Sequence, residues 1–205
     1  MHTVAIVDYG MCNLDSVARA VEECGGVAMV TGEATELGKA DRIVLPGVGA
    51  FGDAMQNLRE RSLDEALYDQ VIRRRTPFLG ICLGMQLLAS KGWEGGEAEG
   101  LGWIEGEVKR LEPFAEDTRI PHIGWNEVAY NDDSCLFSKI PDRKDFYFVH
   151  SYHFCPKNSA DILAETPYGR GFVSAVKLDS IFGVQFHPEK SQQAGFQVLR
   201  NFIGI

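Results

Sequence analysis

The sequence predicts a three-layer α/β fold, with a largely parallel central sheet that is flanked by helices and extended by antiparallel strands. Short apolar, β-branched segments alternate with amphipathic helical segments in the first half of the chain, which is typical of parallel strands joined by helical crossovers. The motifs that contain glycine, cysteine or histidine follow predicted strands, at the edge where α/β proteins bind ligands. The 205 residues are 45% hydrophobic and no stretch resembles a linker, so we expect a single domain over residues 1–205.

The first half of the chain contains four predicted strands and at least two helices. Apolar runs predict the strands Thr3–Asp8, Val27–Thr31, Arg42–Leu45 and Phe78–Ile81. Helical spacing of apolar residues predicts a helix over Leu14–Cys24 and a helical stretch that ends with Leu63–Arg74. The basic residues at the end of that stretch suit a helix carboxyl terminus before Pro77.

Strands dominate the second half of the chain. Six are predicted: Gly106–Leu111, Asn126–Tyr130, Phe146–Phe154, Ile162–Glu165, Phe172–Leu178 and Ile181–Phe186. We expect them to add antiparallel strands to the sheet. A last helix, Ser191–Phe202, begins with a serine that is a favourable cap.

The strongest chemical signal is the run from Gly80 to Gln86, in which a strand ends at Cys82 and a helix begins near Leu83. This order predicts a nucleophile elbow, a tight turn that exposes the cysteine and leaves the N–H of Leu83 free to bind an oxyanion. Gly80 and Gly84 lack the side chains that would crowd such a turn. A single cysteine with apolar neighbours is equally well explained as a buried structural residue, so the run alone leaves both interpretations open.

A second motif, His187-Pro188-Glu189, follows the predicted strand Ile181–Phe186. Pro188 biases His187 towards an extended backbone, which turns His187 and Glu189 to roughly the same side. Glu189 would accept one imidazole N–H, and the other ring nitrogen would take the thiol proton and later protonate a leaving amine. Taken alone, His187 is more simply a surface histidine. Together with Cys82 it predicts a Cys-His-Glu triad.

The loop Pro46–Phe51 follows a third predicted strand. Its two glycines allow backbone angles that other residues avoid, so the loop can expose an amide. The N–H of Val48 is therefore the candidate for a second oxyanion donor, beside that of Leu83. An ordinary Gly/Pro turn is the simpler alternative.

These motifs, in this order, resemble class I (triad) glutamine amidotransferases over nearly the whole chain, which implies a flavodoxin-like core. The segments Asp8–Leu14, Pro121–Asn126, Phe148–Tyr152 and His187–Lys190 are similar to the glutaminase subunits of imidazole glycerol phosphate synthases. The resemblance implies that Cys82 attacks the side-chain amide of glutamine and that water hydrolyses the resulting thioester. One departure is Cys12, where the first loop of the family usually carries glycine.

The resemblance also assigns residues outside the triad. Gln86 lies four residues after Cys82 on the same helical face, and it matches a family position that binds the substrate. The full set implied to bind glutamine is Gly49, Gln86, Glu94, Ser151 and Tyr152. The set implied to contact a partner is Asn13, Trp125 and Lys190, although Trp125 is equally well explained as a core residue.

The implied partner is a (β/α)8-barrel cyclase subunit of imidazole glycerol phosphate synthase. It would use the ammonia to form imidazole glycerol phosphate and an aminoimidazole carboxamide ribotide, a step of histidine biosynthesis. The motifs leave open another acceptor, such as a sugar-modifying synthase. The alternatives of other classes are an elbow-cysteine peptidase, a glyoxalase-like protein and a noncatalytic interaction subunit.

Composition narrows the remaining functions. The net charge of −9 and the pI near 5.0 argue against nucleic acid as a partner. Five cysteines without a CxxC pair argue for a reducing compartment. The chain opens on a predicted strand without a leader pattern, and no apolar run approaches the ~20 residues of a membrane span. We expect a cytoplasmic protein that needs no membrane and no cofactor. His150 and His153 should face opposite sides of a strand, so we also expect no metal.

Overall fold

The structure, a computed structural model, describes residues 1–114, 119–130 and 134–205. Its α-helices are α1 (Leu14–Glu23), α2 (Phe51–Glu60), α3 (Leu63–Tyr68), α4 (Leu83–Gln86) and α5 (Gln192–Ile203). Its first strands are β1 (Thr3–Val7), β2 (Val27–Thr31), β3 (Arg42–Gly47), β4 (Phe78–Cys82), β5 (Lys91–Gly92), β6 (Ala98–Glu99) and β7 (Gly106–Arg110). The others are β8 (His122–Tyr130), β9 (Lys144–His150), β10 (Tyr152–Pro156), β11 (Ile162–Thr166), β12 (Phe172–Leu178) and β13 (Ile181–Val184).

Nine of these strands form one mixed sheet in the order β2-β1-β3-β4-β13-β12-β11-β8-β9. The five strands β2, β1, β3, β4 and β13 pair in parallel. The pairs β13–β12, β12–β11, β11–β8 and β8–β9 are antiparallel. The predicted parallel core with added antiparallel strands is therefore confirmed. The register sets Gly47 beside Cys82 and Val184 beside Ile81, so the carboxyl ends of β3, β4 and β13 meet at one edge.

Helices cover both faces of the parallel strands. Alternate residues of β1 point to opposite faces, so Val4 and Ile6 pack in a different apolar cluster from Ala5 and Val7. Helices α1 and α5 cover the first cluster, and α2 and α3 cover the second. The three layers follow from this alternation, because a sheet that is apolar on both faces needs a helical layer on each.

A second, four-stranded sheet has the order β10-β7-β5-β6. The predicted strand Phe146–Phe154 is wrong as a single element, because the chain bends at Ser151 and divides it into β9 and β10, which belong to different sheets. Strand β8 also begins earlier than the predicted Asn126. Its first residues place the apolar Ile123 and Trp125 on the exposed face and His122 on the buried face, which is the reverse of the pattern that identifies a half-buried strand.

Ser191 precedes α5, but the predicted side-chain cap is wrong, because its hydroxyl does not bond to the helix. The Ser191 hydroxyl instead donates to the carbonyl of His187 (2.6 Å) and accepts the N–H of Tyr147 (3.0 Å). The N–H of His187 donates to the carbonyl of Tyr147 (3.0 Å). These bonds attach the segment after β13 to strand β9. Within the described residues, no helix is long and apolar enough to span a membrane.

Candidate active site

Cys82 occupies a strained turn between β4 and α4. Its φ of 54° and ψ of −107° lie outside the regions that side-chain-bearing residues usually adopt, as expected for a nucleophile elbow. Gly80 and Gly84, on either side of Cys82, lie so close to backbone atoms that a Cβ would clash with them. A Cβ on Gly80 would lie 2.4 Å from the carbonyl oxygen of Gly84, and a Cβ on Gly84 would lie 1.8 Å from that of Leu45. The turn therefore tolerates no side chain at either position.

His187 and Glu189 form a buried pair at the end of β13. The Nδ1 atom of His187 lies 2.8 Å from Oε1 of Glu189, and the two side chains are 4% and 2% exposed. A carboxylate only accepts hydrogen bonds, so Nδ1 carries the proton and Nε2 is left for proton exchange. The buried Nε2 atom has no hydrogen-bond partner among the described residues.

The charge state of His187 depends on Cys82. Burial lowers the pKa of His187, but the nearby Cys82, followed by Glu189, outweighs this effect and raises the pKa to about 10. His187 is therefore an imidazolium at neutral pH when a thiolate lies beside it.

Three of the other four cysteines are neutral thiols. Burial raises the pKa of Cys12 to about 11 and also raises the pKa of Cys24 and of Cys155. These three thiols stay protonated at neutral pH, and Cys12 donates to the carbonyl of Val7 (3.5 Å). Neutral thiols are poor nucleophiles, so none of these three is a candidate for the nucleophile.

A cavity of about 420 Å³ opens beside the Cys82 sulfur. Its lining includes every residue that the resemblance assigns to glutamine binding, together with both expected oxyanion donors: Val48, Gly49, Ala50, Cys82, Leu83, Gln86, Glu94, Pro121, Val149, His150, Ser151 and Tyr152. Sequence reasoning missed Ala50, Pro121 and Val149 as lining residues and considered His150 only as a metal ligand. Within the described ranges, no group of three or more His, Cys, Asp or Glu side chains is arranged to hold a metal.

Polar contacts hold two of these residues in place. The carboxylate of Glu94 accepts the N–H of Phe51 at the start of α2 (3.0 Å). The Nε2 atom of Gln86 donates to the carbonyl of Tyr152 (2.9 Å) and to Oε1 of Gln185 (3.0 Å). Gln185 was not singled out from the sequence, although it lies two residues before His187.

The N–H of Val48 is engaged in this conformation. It donates to the carbonyl of Met11 (2.9 Å), so it does not serve an oxyanion here. The following residue, Gly49, has a φ of +105°, which glycine tolerates and other residues rarely adopt. Val48 remains a predicted donor that requires a local rotation of the backbone.

The three residues expected at a partner interface are exposed. Trp125 is 48% exposed beside the 61% exposed Ile123, which rules out the alternative of a core tryptophan. Lys190 lies 6.0 Å from the ring centre of Tyr147, which in turn packs edge-on against Trp125. Asn13 is exposed at the start of α1.

Comparisons with known proteins agree with this architecture and chemistry. The family model described as glutamine amidotransferase class-I matches residues 5–204. Imidazole glycerol phosphate synthase subunit HisH 1 of Campylobacter jejuni (strain RM1221) is 47% identical over 204 residues, which cover 98% of this chain and 100% of the relative. Subunit HisH of Aquifex aeolicus is 46% identical over 203 residues, which cover 98% of this chain and 96% of the relative.

Solved structures share the fold at lower identity. The structure of PurLQS from Thermotoga maritima has a TM-score of 0.76 and 18% identity, and the match covers 100% of this chain and 99% of that one. A glutamine amidotransferase from Thermotoga maritima has a TM-score of 0.63 and 21% identity, with 91% and 75% covered. The chain therefore belongs to the class I glutamine amidotransferase family, alongside the HisH subunits of imidazole glycerol phosphate synthase.

Proposed function

We propose that this protein hydrolyses L-glutamine to glutamate and ammonia, and that it does so as the glutaminase subunit of an imidazole glycerol phosphate synthase in histidine biosynthesis. The observation that carries the proposal is the buried His187–Glu189 pair (2.8 Å) at the strand end next to Cys82. Cys82 and Glu189 both raise the pKa of His187, so an imidazolium at this position would be the counter-ion of a Cys82 thiolate. Such a pair supplies a nucleophile and a proton donor at once.

Each chemical step then has a named group. The Cys82 thiolate attacks the side-chain amide carbon of glutamine, and the carbonyl oxygen becomes an oxyanion. His187 gives its Nε2 proton to the nitrogen as the carbon–nitrogen bond breaks, so that ammonia leaves and a thioester remains. The neutral imidazole next takes a proton from water, the hydroxide attacks the thioester, and the sulfur leaves with glutamate as the product. Glu189 keeps the imidazole in the required tautomer throughout.

Formation of the oxyanion site requires a conformational change in the protein. Leu83 and Val48 are the proposed donors, but the Val48 N–H is bonded to the Met11 carbonyl (2.9 Å). We infer that docking of the partner releases this bond and turns the amide towards the cavity. Losing one oxyanion donor typically costs about 2.7–4 kcal/mol of transition-state stabilisation, so the isolated chain should turn over glutamine slowly.

The proposed glutamine contacts come from the cavity wall. Gln86 has both of its N–H groups engaged in the protein, so its oxygen is available to accept an N–H of the substrate amide. That acceptor favours glutamine over glutamate, which has no amide hydrogen to donate. Gly49, Glu94, Ser151 and Tyr152 are the proposed contacts to the rest of the amino acid.

The proposed partner is a (β/α)8-barrel cyclase, which would receive the ammonia. Trp125 and Lys190, on the exposed surface near β8 and β9, and Asn13 at the start of α1 are the proposed contacts. A half-exposed tryptophan next to an exposed isoleucine is the kind of apolar anchor found at binding hot spots. We further propose that residues 1–205 form one catalytic domain and that the protein acts in the cytoplasm.

The test is glutamate release from glutamine by the purified chain, alone and with a cyclase barrel subunit plus its nucleotide substrate or an analogue. Strong release only in the mixture supports the coupled glutaminase, whereas release that ignores the barrel refutes the partner. No release in either sample would favour the peptidase-like or noncatalytic alternatives. Cys82→Ala should abolish synthesis from glutamine and leave synthesis from added ammonia intact, and loss of both would indicate a broken complex instead.

A further inference from the structure

We propose that Gln185 is a further catalytic residue, whose side-chain N–H donates a hydrogen bond to the sulfur of Cys82 and stabilises the thiolate. The proposal rests on the proposed function only for the role of Cys82 as nucleophile. Gln185 follows β13, is completely buried, and its Nε2 atom lies 3.6 Å from the sulfur. Its backbone N–H donates to the carbonyl of Ser174 on the neighbouring strand β12 (2.9 Å), so the residue is anchored in the sheet.

The orientation of the Gln185 amide follows from its neighbours. The oxygen and nitrogen of an amide are similar in size, so the hydrogen-bond network decides which atom faces the sulfur. The carbonyl of Tyr152 can only accept a hydrogen bond, so the amide nitrogen of Gln86 must face it (2.9 Å). The second N–H of Gln86 then points to Gln185 (3.0 Å), which must present its oxygen there. The nitrogen of Gln185 is left to face Cys82.

The Tyr152 carbonyl is also bonded to the buried His150, which in turn contacts the buried His122. His150 donates to the carbonyl from Nδ1 (2.9 Å), and the Nε2 atom of His150 lies 3.0 Å from Nδ1 of His122. Burial lowers the pKa of His150 to about 3 and that of His122 to about 4, so both rings are neutral and each carries one N–H. His150 uses its proton on Tyr152, and His122 must therefore donate to His150. The donors from the two histidines therefore end at the Tyr152 carbonyl, where Gln86 also donates, and a second run of donors leads from Gln86 through Gln185 to the sulfur.

Gln185 and His187 differ in what they can do for the thiolate. His187 must give up its proton when ammonia leaves, whereas the amide of Gln185 keeps its N–H at every step. Hydrogen bonds to a charged acceptor are stronger than those to a neutral one, and more so in a buried site. Gln185 therefore stabilises the thiolate before attack and again when the sulfur leaves the thioester.

The experiment measures the rate at which iodoacetamide alkylates Cys82 as a function of pH, read from the mass of the Cys82 peptide because the chain has five cysteines. It compares the parent chain with Gln185→Leu and with the nearly isosteric Gln185→Glu. Losing a hydrogen bond to a charged group should move the midpoint of the Gln185→Leu profile upward by about one pH unit, a tenfold loss of thiolate below the midpoint. Gln185→Glu should move the midpoint further, because a carboxylate oxygen then faces the sulfur.

Ser174→Ala is the matched control. Ser174 is completely buried next to Gln185, and its hydroxyl has no partner among the described residues. Its profile should coincide with that of the parent, because the change leaves the contact to the sulfur intact. If the midpoint of the Ser174→Ala profile also moves, the shift in the Gln185 variants results from general perturbation of the sheet, and the proposal is overturned.

Parental midpoints in folded Gln185→Leu and Gln185→Glu would also overturn the proposal. If Gln185→Leu fails to fold, Gln185→Glu decides, since it preserves the shape of the side chain. The readout needs no glutamine turnover. A parent chain with no glutaminase activity but a shifted Gln185 profile would refute the proposed function and support the sulfur contact, and the reverse result would refute only the role of Gln185.

Discussion

Substitution of Gly84 by alanine tests how tightly the elbow is packed. The new Cβ would lie 1.8 Å from the carbonyl oxygen and 2.9 Å from the carbonyl carbon of Leu45. Leu45 belongs to β3, which is paired on both sides by β1 and β4, so it has no room to withdraw. Helix α4 must move away from β3 by more than an ångström instead. The Leu83 N–H and the Cys82 sulfur move with it.

The structure gives the expected magnitude. Overpacking of a core costs about 1–3 kcal/mol and occasionally more, and the contact with backbone atoms places Gly84→Ala at the upper end. About 3 kcal/mol corresponds to a melting temperature roughly 6–12 °C lower for a domain of this size. Displacement of the reacting groups by about 1 Å is expected to reduce kcat by about 100-fold.

Gly52→Ala is the matched control for this experiment. Gly52 lies in α2, and a Cβ there would lie 3.8 Å from the Cβ of Ala98, which is an ordinary van der Waals distance. Alanine in a helix is favoured over glycine by up to about 1 kcal/mol, so this variant should melt at or slightly above the parent temperature. Thermal unfolding followed by circular dichroism, with glutaminase assays of the complex, measures both effects. A Gly84→Ala protein that melts and turns over like the parent would refute the packing argument.

Three further predictions concern single side chains. The completely buried hydroxyl of Tyr9 has no hydrogen-bond partner among the described residues. Tyr9→Phe should therefore raise the free energy of unfolding, measured by denaturant titration, by about 1–3 kcal/mol. A loss of stability would reveal an unrecognised hydrogen bond. Cys82 is the strongest of the groups that raise the pKa of His187 to about 10. In Cys82→Ala the imidazole should therefore titrate at lower pH in NMR spectra. An unchanged titration would contradict the ion pair. Glu189→Gln should reduce kcat less than His187→Ala, because orienting the imidazole is a smaller task than transferring the proton; the reverse order would refute these roles.

Much of the fold could be predicted because its core strands are continuous apolar runs. Strands β2 and β12 match their predicted bounds, and β1, β4 and α1 differ by one residue at one end. Prediction was weaker at β8, β9 and β10. The bend at Ser151 and the early start of β8 at His122 depend on which sheet each segment joins, and local composition does not report that choice.

The candidate site also has features that could be predicted from the sequence and features that could not. The elbow at Cys82 and the His-Pro-Glu motif are short segments whose residue types indicate their chemistry, and the strand ends that carry them were predictable. The role of Gln185 was not, because its partners Cys82 and Gln86 lie 103 and 99 positions away. The engagement of Val48 by Met11 was equally hidden, since it depends on how two loops from different strands meet.

The sequence by itself determined the alternation of strands and helices in the parallel core, the turn at Cys82 and the residues that we propose carry out the reaction, because these depend on local sterics, periodicity and side-chain chemistry. Only the tertiary structure decided which nitrogen of His187 is free, which way the amides of Gln86 and Gln185 point, and which donors are already engaged. Hydrogen bonds are directional, and their partners here come from distant segments. Their arrangement therefore exists only after the sheet has brought the ends of β3, β4 and β13 together.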